Sequence, residues 1–187
     1  MKNPNTTAIL GALVADSAAL GLHWLYDPAR IAEIEAARGL VFLHPDADNY
    51  AGSKGYFAHG SKSPGDSTSY GETCLFMLKH LVKHGKFNRV GYQTEYRAHF
   101  GPGGAFVGYI DSPTRQTLRT LLSTEPPEFP AASGADDDQL PALAALPALV
   151  AAHVGTLDGL IGQIEEAVRV TNNNELAVAA ARCWAAA

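Results

Sequence analysis

Apolar residues three and four positions apart recur along most of this chain, the period of an α-helix. No stretch alternates convincingly with period two. Thr6 to Leu22 carries Ile9, Leu10, Leu13, Val14 and Leu20, so it predicts a first helix capped by Thr6 or Thr7. Gly11, Ala15 and Ala19 lie four apart and form a small-residue stripe on which another helix can close, which makes this helix central in expectation. Asp27-Pro28 opens a second helix, with Asp as N-cap and Pro in the first turn, and Gly39 ends it. Glu72 to Lys83 presents Leu75, Phe76, Leu78, Leu81 and Val82 and closes at Gly85. Asn88 caps a helix over Arg89 to Phe100, and Ser112-Pro113 starts another through Leu122. Leu140 to Val154 reads as an Ala/Leu-rich helix kinked by Pro147. Thr156 caps a helix through Val168, and Glu175 opens the last, Leu176 to Ala187. The pattern predicts an all-α, orthogonally packed multi-helix bundle, with residues 1–187 in one domain.

Between these elements the polar stretches are informative. Residues 40–68 form a long segment rich in Gly, Ser, Asp, His and Tyr, a length that compact domains usually keep for binding loops or lids. Tyr50, Tyr56 and Phe57 predict that it is ordered. His44 and His59 match no metal spacing and read as surface or loop residues. The last helix ends in Trp184-Ala185-Ala186-Ala187 without a stop signal, so the chain reads as stopping partway through a larger fold.

Composition narrows the function classes. The chain has 187 residues, 47% hydrophobic and 18% charged, which suits a folded core rather than disorder. A net charge of −5 without a basic run argues against nucleic acid as a partner. Asp16 and His23 interrupt the N-terminal apolar run, so neither a signal peptide nor a membrane span is expected. Cys74 and Cys183 sit in apolar helical contexts and read as reduced, buried thiols of a cytoplasmic protein.

Candidate chemistry gathers at Ser63 to Leu78, where a hydroxyl-rich loop with Asp66 and Glu72 runs into an apolar helix. A helix N-terminus offers free N–H groups to an anion. The plainer reading is a capping box, with Ser69 as N-cap and Glu72 three residues on. Asp136, Asp137 and Asp138 precede the next apolar stretch, either as charge capping its dipole or as a hard-cation or ribose-hydroxyl site. Asp16 is either a partnered carboxylate among apolar neighbours or an exposed edge residue. His23, beside Trp24, is either a packed helix-end residue or a chemical group.

Three segments together resemble the ADP-ribosylglycohydrolase family: Gly11 to Trp24, Gly65 to Leu78, and Gly134 to Gln139 with the Thr171-Asn172-Asn173-Asn174 break. The wording from Ala19 to Asp27 is most similar to the branch that includes J1-type crystallins. The resemblance implies an all-α fold, a cleft for ADP-ribose or an ADP-ribosylated substrate, two Mg²⁺ ions, and hydrolysis of the glycosidic bond to ADP-ribose. It implies Asp66 and Glu72 as catalytic carboxylates, with Asp136, Asp137 and Asp138 joining them around metal. It implies Asp16, His23, Ser69, Tyr70, Gly134 and Asn172 as ligand-binding positions. The chain departs from the family pattern where the Thr-Asp-Asp-Thr motif belongs: Ser69 matches the first Thr, Tyr70 and Gly71 replace both Asp, and Glu72 replaces the second Thr. The second metal motif, Asp-x-Asp-Thr, has no counterpart before Ala187. Two functions follow as expectations: a Mg²⁺-assisted hydrolase, or a binding or crystallin-like member that has lost the metal site. The Tyr70-Gly71 replacement favours the second.

Overall fold

The computed structural model describes residues 3–186. Eight α-helices are found among them: α1 Pro4–Ala19, α2 Pro28–Arg38, α3 Ser69–His84, α4 Arg89–Phe100, α5 Ser112–Leu122, α6 Leu146–Ala152, α7 Leu157–Thr171 and α8 Glu175–Ala186. No strand is present among the described residues beyond two isolated bridges, Leu25 with Gly55 and Ala135 with Asn172. The fold is all-α.

The core is a continuous apolar cluster. Phe76, Met77 and Leu81 of α3 meet Tyr92, Tyr96 and Phe100 of α4, Leu121 of α5, Leu146 and Leu149 of α6, and Ile164 and Val168 of α7. Each contributor lies on the apolar stripe of its own helix, so burial of these stripes drives the packing. Alanines 177 and 181 on α8 are fully buried, and α8 packs closely on α7.

Several caps follow the sequence: Asp27 accepts from the N–H groups of Ala29 and Arg30, Asn88 from Gly91, and Thr156 from Gly159. Others differ. Helix α1 is capped by Asn3 rather than by Thr6 or Thr7, because Pro4 occupies its first position. Leu140 to Val154 is not one kinked helix. A 3-10 turn, Pro141–Ala145, precedes α6, and Pro147 lies in the first turn of α6, where its missing N–H costs nothing. The Asp136 to Asp138 run therefore does not abut an α-helix. Cys74 is buried, whereas Cys183 is exposed.

Helix α1 is not central in this chain. It packs on α3 and α6 with Ala12 and Leu13, yet none of its residues is buried, and Leu10 and Val14 are 56% and 55% exposed. A Cβ added to Gly11 would meet nothing within 4 Å, so the small-residue stripe is uncovered. With the following 3-10 turn, Pro4–Leu22 has the length and apolarity of a membrane span, with a mean hydropathy of 1.3. It nevertheless carries Asp16, whose carboxylate is engaged by the loop before α3.

Candidate functional site

The entrance to α3 is built around Asp16. Thr68, not Ser69, is the N-cap: its hydroxyl accepts from the Tyr70 N–H at 3.0 Å. Moving the cap back by one residue puts Gly71 at the third helical position and takes Glu72 out of it. In a capping box the third residue supplies a carboxylate to the N-cap N–H. Here Asp16 supplies it from α1. Its Oδ2 accepts from the Thr68 N–H at 2.8 Å, and its Oδ1 accepts from the Thr68 hydroxyl. A Cβ on Gly71 would lie 2.3 Å from Asp16 Oδ2. Glycine at 71 is what admits the Asp16 carboxylate, so Asp16 is a partnered, half-buried group and not a free edge residue.

Glu72 points elsewhere. Its Oε1 lies 2.7 Å from His99 Nε2 on α4, and the His99 ring stacks on Phe76. Asp66 is exposed and closes its own turn, its Oδ2 accepting from the Ser63 N–H at 2.8 Å. Ser69 is buried, and its carbonyl accepts from the Thr73 hydroxyl. Tyr70, in the first turn, borders an open groove of about 420 Å³ with Gln139, Leu140, Pro141 and Ala144. It also borders a crevice of about 10 Å³, no larger than a water molecule needs, with Ser69, Thr73, Tyr96, Thr114 and Thr171. Burial, then the neighbouring Asp111 carboxylate, push the Tyr70 phenol far above its ordinary pKa, so it stays a neutral hydroxyl.

The second acidic segment is held by its own contacts. Asp136 accepts from Asn174 Nδ2 at 2.8 Å, Asp137 from the Gln139 N–H at 2.9 Å, and Asp138 is exposed. Asn172 is fully buried and clamps this loop: its Oδ1 accepts from the Ala142 N–H, and its Nδ2 donates to the Gln139 and Asp137 carbonyls. A Cβ on Gly134 would lie 2.4 Å from Asn172 N. Gly134 thus lets two backbone segments close on one another, while the Asn172 side chain ties the loop to the 3-10 turn before α6.

The residues present do not assemble a two-Mg²⁺ centre. Both motif Asp positions hold other residues, the space over Gly71 belongs to Asp16, and Glu72 is paired with His99. Of Asp66, Glu72, Asp136, Asp137 and Asp138, no three bring ligand oxygens within mutual reach. Among the described residues the one such group is His80, His84 and Glu95, with ligand atoms within 4.8 Å of one another. That triplet carries a mark against metal. The Asn88 N–H donates to His80 Nε2 at 3.1 Å, which leaves the His80 hydrogen on Nδ1, 2.7 Å from Glu95 Oε2. Lys83 and His84 bind the other Glu95 oxygen, so the group is a clasp between α3 and α4.

Beside Tyr70 lies a cluster of aromatic and imidazole rings. His23 is edge-on to Tyr70 at 5.6 Å and tilted to Trp24 at 4.8 Å. Trp24, Tyr56 and Tyr109 pack together with ring centroids 4.9 to 6.0 Å apart. Trp24 has φ +68°, a conformation that bulky residues rarely adopt, at the turn leaving the Leu20–Leu22 segment. His59 is no surface residue: it is 3% exposed, and its Nε2 lies 2.7 Å from His23 Nδ1. His44 is exposed, as the sequence suggests. The sequence reading misses His59, Asp111 and His99. Asp111 had a signal, since it precedes Ser112-Pro113 as an N-cap and accepts from the Thr114 N–H. His59 had none.

The family model described as ADP-ribosylglycohydrolase matches residues 6–187. Crystallin J1A of Tripedalia cystophora is 30% identical over 201 residues, covering 98% of this chain and 56% of the relative. Crystallin J1B of the same organism is 30% identical over 202 residues, covering 99% of this chain and 57% of the relative. The chain thus spans a little over half the length of these curated relatives. The match extends from the first turn of α1 through α8, across every element that shapes the Tyr70 cleft, and the chain belongs to the ADP-ribosylglycohydrolase family.

Proposed function

We propose that this chain is a ligand-binding member of its family, taking an ADP-ribose-type ligand in the groove beside Tyr70 without a divalent cation. One observation carries the reading: the Asp16 carboxylate occupies the space over Gly71, within 2.3 Å of where a Cβ would stand. A motif carboxylate at that position would collide with Asp16 and repel it. The groove supplies the neutral Tyr70 phenol, which suits hydroxyls and oxyanions. Isothermal titration with ADP-ribose tests it. Binding that is unchanged by excess chelator is expected. A tenfold loss on chelation would overturn the metal-independent reading. Absence of binding by a folded protein would leave the crystallin-like structural alternative.

A second reading, hydrolysis, rests on the carboxylates that remain near the α3 entrance, Asp16 and the Glu72–His99 pair. It predicts Mg²⁺-dependent release of ADP-ribose from a modified substrate. Release by the wild type above a Glu72→Ala control favours it; equal background rates exclude it for this chain.

A further inference from the structure

The His23–His59 contact has a definite proton. The two rings lie at 14° to one another, and one hydrogen occupies the 2.7 Å gap between His23 Nδ1 and His59 Nε2. Two arrangements of neutral rings are possible. If His23 donates, the hydrogen of His59 moves to its Nδ1. That atom is buried and has no partner, so a bare N–H donor would be sealed in the interior. If His59 donates, its Nδ1 carries only a lone pair. Either unpaired group costs desolvation, but orphaned buried N–H groups are rarer than under-satisfied acceptors. The second arrangement is therefore favoured. It bares His23 Nδ1 as acceptor and places the His23 hydrogen on Nε2.

We propose that His59 is a positioning residue that holds His23 in the Nε2–H tautomer, so that the cleft presents a neutral imidazole N–H donor to an acceptor oxygen of the ligand. His23 Nε2 has no protein partner and is not among the buried unpaired atoms, so it reaches solvent. The backbone around it is pinned: the Tyr50 hydroxyl donates to the His23 carbonyl at 2.8 Å, and the Tyr56 N–H donates to the Trp24 carbonyl at 3.0 Å. The neighbouring rings of Tyr70 and Trp24 limit where the imidazole can turn. Burial, then the adjacent His59, lower the His23 pKa to about 4, which keeps the donor uncharged at neutral pH. His59 is also held below its ordinary value by burial, against the pull of Asp16. A neutral N–H favours ribose or phosphoryl oxygen without demanding charge neutralisation. The tautomer is a property of the free protein; only the identity of the ligand rests on the ADP-ribose reading above.

Long-range proton–nitrogen NMR of the histidine side chains in the whole chain at neutral pH decides it. The expected wild-type spectrum has His23 protonated on Nε2 and bare on Nδ1. A His23 proton on Nδ1 would overturn the proposal, and that measurement needs no variant. His59→Gln retains an amide donor in reach and should keep the tautomer, while His59→Leu should give a mixture of both. An unchanged tautomer in folded His59→Leu would remove His59 from its role. In ADP-ribose titrations, His23→Phe and His59→Leu are expected to weaken binding about tenfold, with His59→Gln close to wild type. Wild-type binding with no loss in either variant would overturn the ligand contact. If the wild type shows no binding, the Nε2–H assignment still stands or falls by the spectrum, while the ADP-ribose reading and the donor's role toward that ligand both fail.

Discussion

Gly71→Ala isolates the device at the α3 entrance. On an exposed helix the change would stabilise by about 1 kcal/mol, since alanine has the better propensity. Here the new Cβ would stand 2.3 Å from Asp16 Oδ2 and 2.8 Å from its Cγ, so the carboxylate must withdraw. Withdrawal breaks two charge-assisted bonds, from the Thr68 N–H and the Thr68 hydroxyl. Such bonds are each worth about 1.5–3 kcal/mol, and the half-buried Asp16 recovers part of this by rehydration, so about 3 kcal/mol is lost in all. The net expectation is a destabilisation of about 2 kcal/mol, which lowers Tm by roughly 4–8 °C in a chain of this size. Urea unfolding followed by circular dichroism measures it. Asp16→Ala alone should cost about 2–3 kcal/mol, because the Thr68 N–H loses its partner. In that background, Gly71→Ala should become neutral or stabilising, giving a coupling energy of about 2–3 kcal/mol. A Gly71→Ala protein as stable as wild type, or single costs that simply add, would refute the reasoning.

Other outcomes follow from the same contacts. His23 has a pKa near 4 against 6.5 when unfolded, so protonation favours the unfolded chain: its contribution is complete above pH 6.5 and is lost as pH falls toward 4. After discounting for partial exposure the loss is about 2 kcal/mol, and His23→Phe should flatten that limb of a stability–pH curve. Burial opposes ionisation of Glu95, but hydrogen bonds from Lys83, His80 and His84 outweigh it and hold the carboxyl at about 2. Its stabilisation is present above pH 4.5 and is lost as pH falls through 2, so Glu95→Gln should lower stability at pH 7 by about 1–2 kcal/mol in denaturant titrations. Asn172→Ala removes three hydrogen bonds from a fully buried clamp, and an unfolding cost of about 3 kcal/mol is expected, with faster amide exchange across residues 137–142.

The amphipathic period and the capping residues mark α2, α4, α5 and α7 close to their observed limits, because each has a clear cap and one apolar stripe that burial rewards. The order of three segments was enough to indicate the family, since motif spacing is a property of the chain. The loss of the motif carboxylates was equally legible, as Tyr70 and Gly71 stand in their place. What replaced them was not. Asp16 lies 52 residues before Thr68, and only the packing of α1 on α3 brings its carboxylate to that N-cap and shifts the cap by one residue. The prediction that α1 is central failed for the same reason: a small-residue stripe shows that a helix can be approached, while coverage depends on what lies against it. His59 is buried against His23 from a long loop, a place the sequence does not announce, because loop path is decided by tertiary contacts and not by local preference. Sequence determined most of the helices and the family; the side-chain partnerships around the α3 entrance, Asp16 with Thr68, Glu72 with His99 and His23 with His59, exist only once distant segments are packed together.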